Sequence, residues 1–97
     1  MNATICEAIN DQRVIEFYYD GSQRTVEPFC HGRTTAGNDV LRGYQISGYS
    51  STGTVPDWKL FRLDKLSGLS VTAQIFRGDR PGYNPNDSAM SQIYCCV

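Results

Sequence analysis

No stretch of this chain comes near the roughly 20 consecutive apolar residues that a membrane-crossing helix needs, which excludes a helical membrane protein. Nor is there a surplus of either charge: nine Lys plus Arg face ten Asp plus Glu, for a formal net charge of −1. Coating nucleic acid without regard to sequence needs a cationic excess, so that role is excluded, whereas a local basic site is not. There is no Cys-x-x-Cys pair, and the single histidine, His31, is close only to Cys30, which excludes a zinc site built from two spaced ligand pairs. Side chains of adjacent strand residues diverge to opposite faces, which argues against a catalytic Cys30–His31 dyad. Paired histidines, Ser-x-x-Lys, a phosphate loop and metal motifs are all missing. The chain is therefore expected to be no enzyme and to carry neither cofactor nor metal. The opening MNATICEAINDQ has neither a basic nor an apolar segment of the kind a secretory signal requires. The expectation is a cytoplasmic protein whose four cysteines, Cys6, Cys30, Cys95 and Cys96, are free thiols.

What is present suits a small folded domain. The 97 residues are 40% hydrophobic and 11% aromatic, enough for one core and one domain spanning 1–97. Arg outnumbers Lys seven to two. The planar guanidinium fork pairs bidentately with phosphate or carboxylate, so the bias leans toward anion recognition.

Ile5, Ala8 and Ile9 recur at helical spacing within residues 3–11, with Asn2 or Thr4 as the cap and Glu7 three residues after Thr4. RVIEFYY (13–19) is β-branched and aromatic, Asp20-Gly21-Ser22 is a turn, and QRTVEPFCH (23–31) resumes as a strand, which together read as a hairpin. Pro28 marks an edge, a bulge or the end of its strand. Further strands are expected over 40–48, 57–63 and 69–76, separated by a polar turn at 33–39, a loop at 49–56 and a turn at 64–68. In the 57–63 strand, Trp58, Leu60 and Arg62 share one face and Lys59, Phe61 and Leu63 the other. From Arg77 onward Pro, Gly and Asn predict an irregular tail over 78–97, whose SAMSQIYCCV end could add a short helix or strand. The expected fold is mainly β: a small, strongly bent antiparallel sheet or barrel with one N-terminal helix, its core within about residues 3–77.

Four segments in order resemble the WYL domain of bacterial and phage regulators. Ile9 through Tyr19 is similar to its helix end and I-x-F-x-Y strand, and Arg24-Thr25-Val26-Glu27-Pro28 to its R-x-V-x-P element. Val40-Leu41-Arg42-Gly43-Tyr44 stands where the Trp-Tyr-Leu signature falls, with Val-Leu-Arg in its place, and Leu60 through Leu66 resembles the F-R-L-D-R-I element, with Lys65 at the second basic position. The resemblance implies an Sm-like barrel and a cleft of Arg and aromatic side chains that binds an anionic nucleotide-like ligand or single-stranded nucleic acid. It implies a stand-alone domain without the DNA-binding helix-turn-helix that usually precedes it.

The candidate ligand-binding residues are Arg24, His31, Arg42, Tyr44, Arg62 and Lys65. The three arginines lie within strands, where an inward charge is costly unless paired. Arg24 either meets Glu16 across the hairpin or waits for a ligand. Arg42 shares a face with Tyr44, suited to stacking a base or to packing on that ring. Arg62 has Asp57 or Asp64 as its alternative partner. His31 follows the R-x-V-x-P element and is either a pocket residue or an internally bonded one. Arg77 and Arg80 are expected in a solvated loop. The functional expectation is a module that senses or sequesters the anion. The alternatives are an assembly module that oligomerises through strand edges, or an accessory subunit of a defence or transcription complex. A homodimer is expected from an uncovered strand edge and the apolar SQIYCCV end.

Overall fold

The amphipathic N-terminal segment folds as helix α1 (Ala3–Asn10), with Ile5, Cys6, Ala8 and Ile9 on its buried face. Its cap is Asn2, whose Oδ1 accepts from the Ile5 N–H at 3.0 Å. Thr4 is already inside the helix, so the Thr4–Glu7 capping pattern is not used. The molecule is known from a computed structural model that describes residues 1–50 and 53–97; residues 51 and 52, within the expected 49–56 loop, lie outside the described residues.

Six strands follow: β1 (Arg13–Tyr19), β2 (Ser22–Arg33), β3 (Asp39–Gly48), β4 (Asp57–Arg62), β5 (Leu66–Ile75) and β6 (Gln92–Cys96), with one 3₁₀ turn at Leu63–Lys65 between β4 and β5. The β1–β2 hairpin turns on Asp20 (φ 52°) and Gly21 (φ 77°). Two successive positive φ values are what a two-residue turn needs to match strand twist. All pairings are antiparallel, in the order β4-β3-β2-β1-β5, with β6 also on β2. Strand β2 is long enough to serve two partners on one side: β1 pairs up to Val26, and β6 from Cys30 onward. Pro28, with no N–H to donate, falls in the interval between them, and a bulge opposite β3 lies between Pro28 and Cys30. At Gly43 a Cβ would collide with the Val26 side chain, so the glycine lets β2 and β3 close at the bend.

Alternation along these strands gives the sheet two apolar faces. The inner face and α1 share one core of Ile5, Ala8, Ile9, Ile15, Phe17, Val26, Leu41 and Phe61. The outer face carries Val14, Phe29 and Phe76, packed against Tyr44, Trp58 and Tyr83. The sheet coils strongly: β4 and β1 are two strands apart, yet Phe61 meets Phe17 and Tyr19 edge-on at 5.0 and 5.1 Å. It does not close. Among the described residues no pairing joins β4 to β5, so of the two expected forms the architecture is the bent sheet, six strands with one helix, and not a closed barrel. Among the described residues no helix is long and apolar enough to cross a membrane.

At the C-terminus one ground for a dimer and the free thiols are overturned. The tail takes the strand alternative: it crosses the outer face and ends in β6, and the Val97 N–H donates to the Phe29 carbonyl at 2.8 Å. The SQIYCCV end is therefore zipped onto its own sheet, which removes one of the two grounds for a dimer. The cysteines are not free thiols either. Cys6 is bonded to Cys95 and Cys30 to Cys96. Successive β6 residues point to opposite sides, so one strand staples both the helix and β2.

Candidate functional site

The sequence places three arginines in strands, and the fold separates them. Arg24 has the parity of Val26 on β2 and so points to the inner face, where it is 6% exposed. Arg42 points to the outer face beneath the tail. Arg62 follows the parity of Trp58 and Leu60, away from the inner core, and its side chain is half exposed.

Arg24 lies at the end of the coil where β4 approaches the β1–β2 turn without pairing to it. Its guanidinium is held loosely and by neutral groups alone: Nη1 donates to Gln45 Oε1 at 3.5 Å and Nη2 to the Tyr19 carbonyl at 3.4 Å. Its Nε is buried and has no acceptor among the described residues. Among the described residues no carboxylate forms an ion pair with it. The Glu16 pairing considered from the sequence is not made; Glu16 lies opposite Thr25, and Arg24 opposite Phe17. Gln45, wholly buried, is oriented by its own amide N–H bonds to the Ser47 and Tyr49 carbonyls at 3.2 and 2.7 Å, which aim its oxygen at the arginine. The rings of Tyr19 and Tyr49 lie 5.4 and 5.5 Å from the guanidinium carbon. Gly48, at φ +97°, makes the turn that seats Tyr49 there, and a side chain at that position would strike the Gln23 carbonyl.

Arg24, Tyr19 and Tyr49 border a cleft of about 440 Å³ whose lining also includes Ser22, Ser50, Lys59 and Asp20. Lys59 donates to Ser50 Oγ at 2.9 Å. It was not among the candidates read from the sequence, although a signal existed: it alternates with Phe61 and so shares the inner face. The cleft thus joins two cations, two phenol rings and two hydroxyls around one unsatisfied N–H. It offers anion binding and ring stacking.

The other candidates lie elsewhere. Arg42 makes a two-bond pair with Asp87, Nε to Oδ2 at 2.7 Å and Nη2 to Oδ1 at 3.4 Å. That contact holds the Asp87 carboxyl below the usual carboxylate range. Tyr44 lies under Arg80, 4.5 Å from ring centre to guanidinium carbon, and not under Arg42. Arg80 itself is no solvated loop residue: it forks onto the buried Glu27 carboxylate with two bonds of 2.9 Å. Arg62 takes the alternative partner, Asp64, at 2.6 Å, and Lys65 stands exposed on the 3₁₀ turn. His31 is completely buried. Its Nδ1–H donates to the Val40 carbonyl at 2.8 Å and its Nε2 accepts from the Asn2 N–H at 3.0 Å. Burial lowers its pKa below the ordinary histidine value, so it is a neutral link between α1 and β3, sealed from the Arg24 cleft.

No family model, no curated protein and no solved structure matches this chain. The functional argument therefore rests on the cleft itself. Its residues come from the hairpin (Tyr19, Ser22, Arg24), from the turn after β3 (Tyr49, Ser50) and from β4 (Lys59), so three separate segments must fold before it exists.

Proposed function

We propose that this chain is a ligand-binding or regulatory module that takes an anionic, nucleotide-like ligand in the Arg24 cleft. The observation that carries the reading is the Arg24 guanidinium: buried and, among the described residues, without a carboxylate partner and with an N–H that no group accepts. A buried charge with only neutral acceptors is destabilising, and an anion at the cleft would relieve it. A phosphate oxygen suits the Arg24 guanidinium at the cleft wall, Lys59 adds a second positive charge, and the Tyr19 and Tyr49 rings offer faces for a base. The WYL resemblance supports the same reading, since its R-x-V-x-P element begins at Arg24. Under that resemblance the coiled sheet is an Sm-like barrel opened at this seam. A short single strand of nucleic acid presents the same base and phosphate groups in polymeric form.

Titration calorimetry with adenosine monophosphate against adenosine tests this. The phosphate form should bind, more weakly as salt rises. Arg24→Met should lose about tenfold or more, since hydrogen bonds to charged groups contribute about 1.5–3 kcal/mol. Equal binding by the parent and Arg24→Met would place the ligand elsewhere.

A second reading, self-association into a homodimer, has one specific support. The outer edge of β5 is unpaired among the described residues, and Leu66–Phe76 carries no charged residue to protect it. Light scattering over a concentration series tests it; a constant monomer mass speaks against it.

A further inference from the structure

The outer face carries a second arginine–aromatic surface, and the tail already occupies it. The Tyr83 ring lies nearly parallel to Trp58, with centroids 6.2 Å apart and planes at 19°. Four residues on, Asp87 presents both carboxylate oxygens to the fork of Arg42. Trp58 Nε1 donates to the Pro81 carbonyl at 2.8 Å, and Gly82 passes so close to the indole that a Cβ would sit 3.1 Å from that nitrogen. The tail thus offers this face a flat ring on an indole and a two-oxygen anion on a guanidinium, the two contacts by which an aromatic anion would be held. The seat is incompletely filled: a cavity of about 230 Å³ remains beside Arg42, Trp58, Asn84 and Asp87.

The fastening of this cover is covalent and lies just beyond it. The Cys30–Cys96 and Cys6–Cys95 bonds hold the last residues of the chain. The first of them touches the cover directly: the Tyr83 hydroxyl is 3.6 Å from Cys30 Sγ and donates to the Val97 carbonyl at 2.8 Å. We propose that residues 80–87 are a built-in substitute for a flat aromatic anion at the Arg42–Trp58 face, and that the Cys30–Cys96 disulfide keeps the substitute seated, so that thiol reduction opens the face to ligand. In that step a thiol reductant delivers two electrons and two protons. The Cys30–Cys96 bond breaks to two thiols, and the reductant leaves as its own disulfide. An internal substitute lowers apparent affinity by the fraction of time the face is open, so unseating it raises affinity without changing the face.

The test uses the full chain carrying Arg24→Met, which silences the first cleft, and reads binding of adenosine monophosphate, with adenosine and inorganic phosphate as separate arms. The oxidised chain should bind weakly. Dithiothreitol, or Tyr83→Ala with Asp87→Asn in the oxidised chain, should tighten binding by about tenfold or more, and adding Arg42→Ala should cancel that gain. A gain seen equally with phosphate alone, or one that survives Arg42→Ala, overturns the assignment, as does no gain in the Tyr83/Asp87 double variant. The disulfide's role is judged separately with Cys30→Ala plus Cys96→Ser. A gain supports it; no gain, or a reduced chain that loses its β-sheet circular dichroism, overturns it. Failure of the Arg24 cleft leaves these readings unaffected, because Arg24 is absent throughout.

Discussion

Arg24 and Arg42 sit on neighbouring strands of one sheet, and the fold treats them in opposite ways. Arg42 is capped by Asp87, a carboxylate delivered from 45 residues further along the chain. Arg24 is the more deeply buried of the two and, among the described residues, has no carboxylate partner. The tail crosses the outer face, and it brings its acid and its ring to that side only. The inner face closes on α1, whose buried positions are Ile5, Cys6, Ala8 and Ile9, none of which supplies an anion. The difference teaches what each site needs: a cation that the chain has matched is closed to ligand until its cover moves, and a buried cation it has left unmatched is kept at a cost in stability.

The strongest way to break the comparison is to detach the tail. Cys30→Ala with Cys96→Ser removes one staple, and loss of a native disulfide from a small domain costs about 2–5 kcal/mol. Urea unfolding should show that loss, while the Arg24 cleft, built without the tail, keeps its ligand affinity wherever the chain remains folded. Replacing Arg24 with Met should act in the other sense. It removes a buried charge whose Nε is unsatisfied, so the unliganded protein should gain about 1–2 kcal/mol in the same assay. A loss of stability would mean that the Tyr19, Tyr49 and Gln45 contacts already satisfy the guanidinium.

The Arg42 region carries a pH signature. Asp87 has its pKa depressed by the Arg42 hydrogen bonds, so between the unfolded value, about 3.9, and the lower folded value the unfolded chain binds more protons. The stability contributed by this pair is fully present above about pH 4 and falls away as pH drops toward the folded pKa. Asp87→Asn should cost about 1 kcal/mol at neutral pH and flatten that part of the acid limb; Arg24→Met should leave the limb in place. The smallest effect is expected at the third strand arginine. Arg62 and Asp64 form an exposed pair, so Arg62→Ala should change stability by about 0.5 kcal/mol or less, and nucleotide binding should be unchanged.

Local order was legible in the residues. The helix over 3–10, the Asp20-Gly21 hairpin, the β3 and β4 strands and the bulge at Pro28 follow from spacing, φ requirements and a missing N–H, all of which act within a few residues. Arg24 too was marked by its position inside a strand. Sequence alternation also paired Lys59 with Phe61, which was enough to put Lys59 on the inner face once Phe61 was known to be core. What had to wait for the tertiary structure were the long-range choices. Strand alternation says that Arg24 and Arg42 can face different sides but not which side receives a carboxylate. Asp87 and Arg80 find their partners 45 and 53 residues away, across a tail whose Pro and Gly content suggested only disorder of path. The same holds for the cysteines: bonds spanning 89 and 66 residues are made by the return of β6 to β2, and no local rule encodes that return. Whether the sheet closes was settled in the same way, because closure depends on the summed twist and bulges of all its strands. Residue chemistry set the elements and supplied the cations; three-dimensional packing determined which cation was neutralised and which was left facing a cleft.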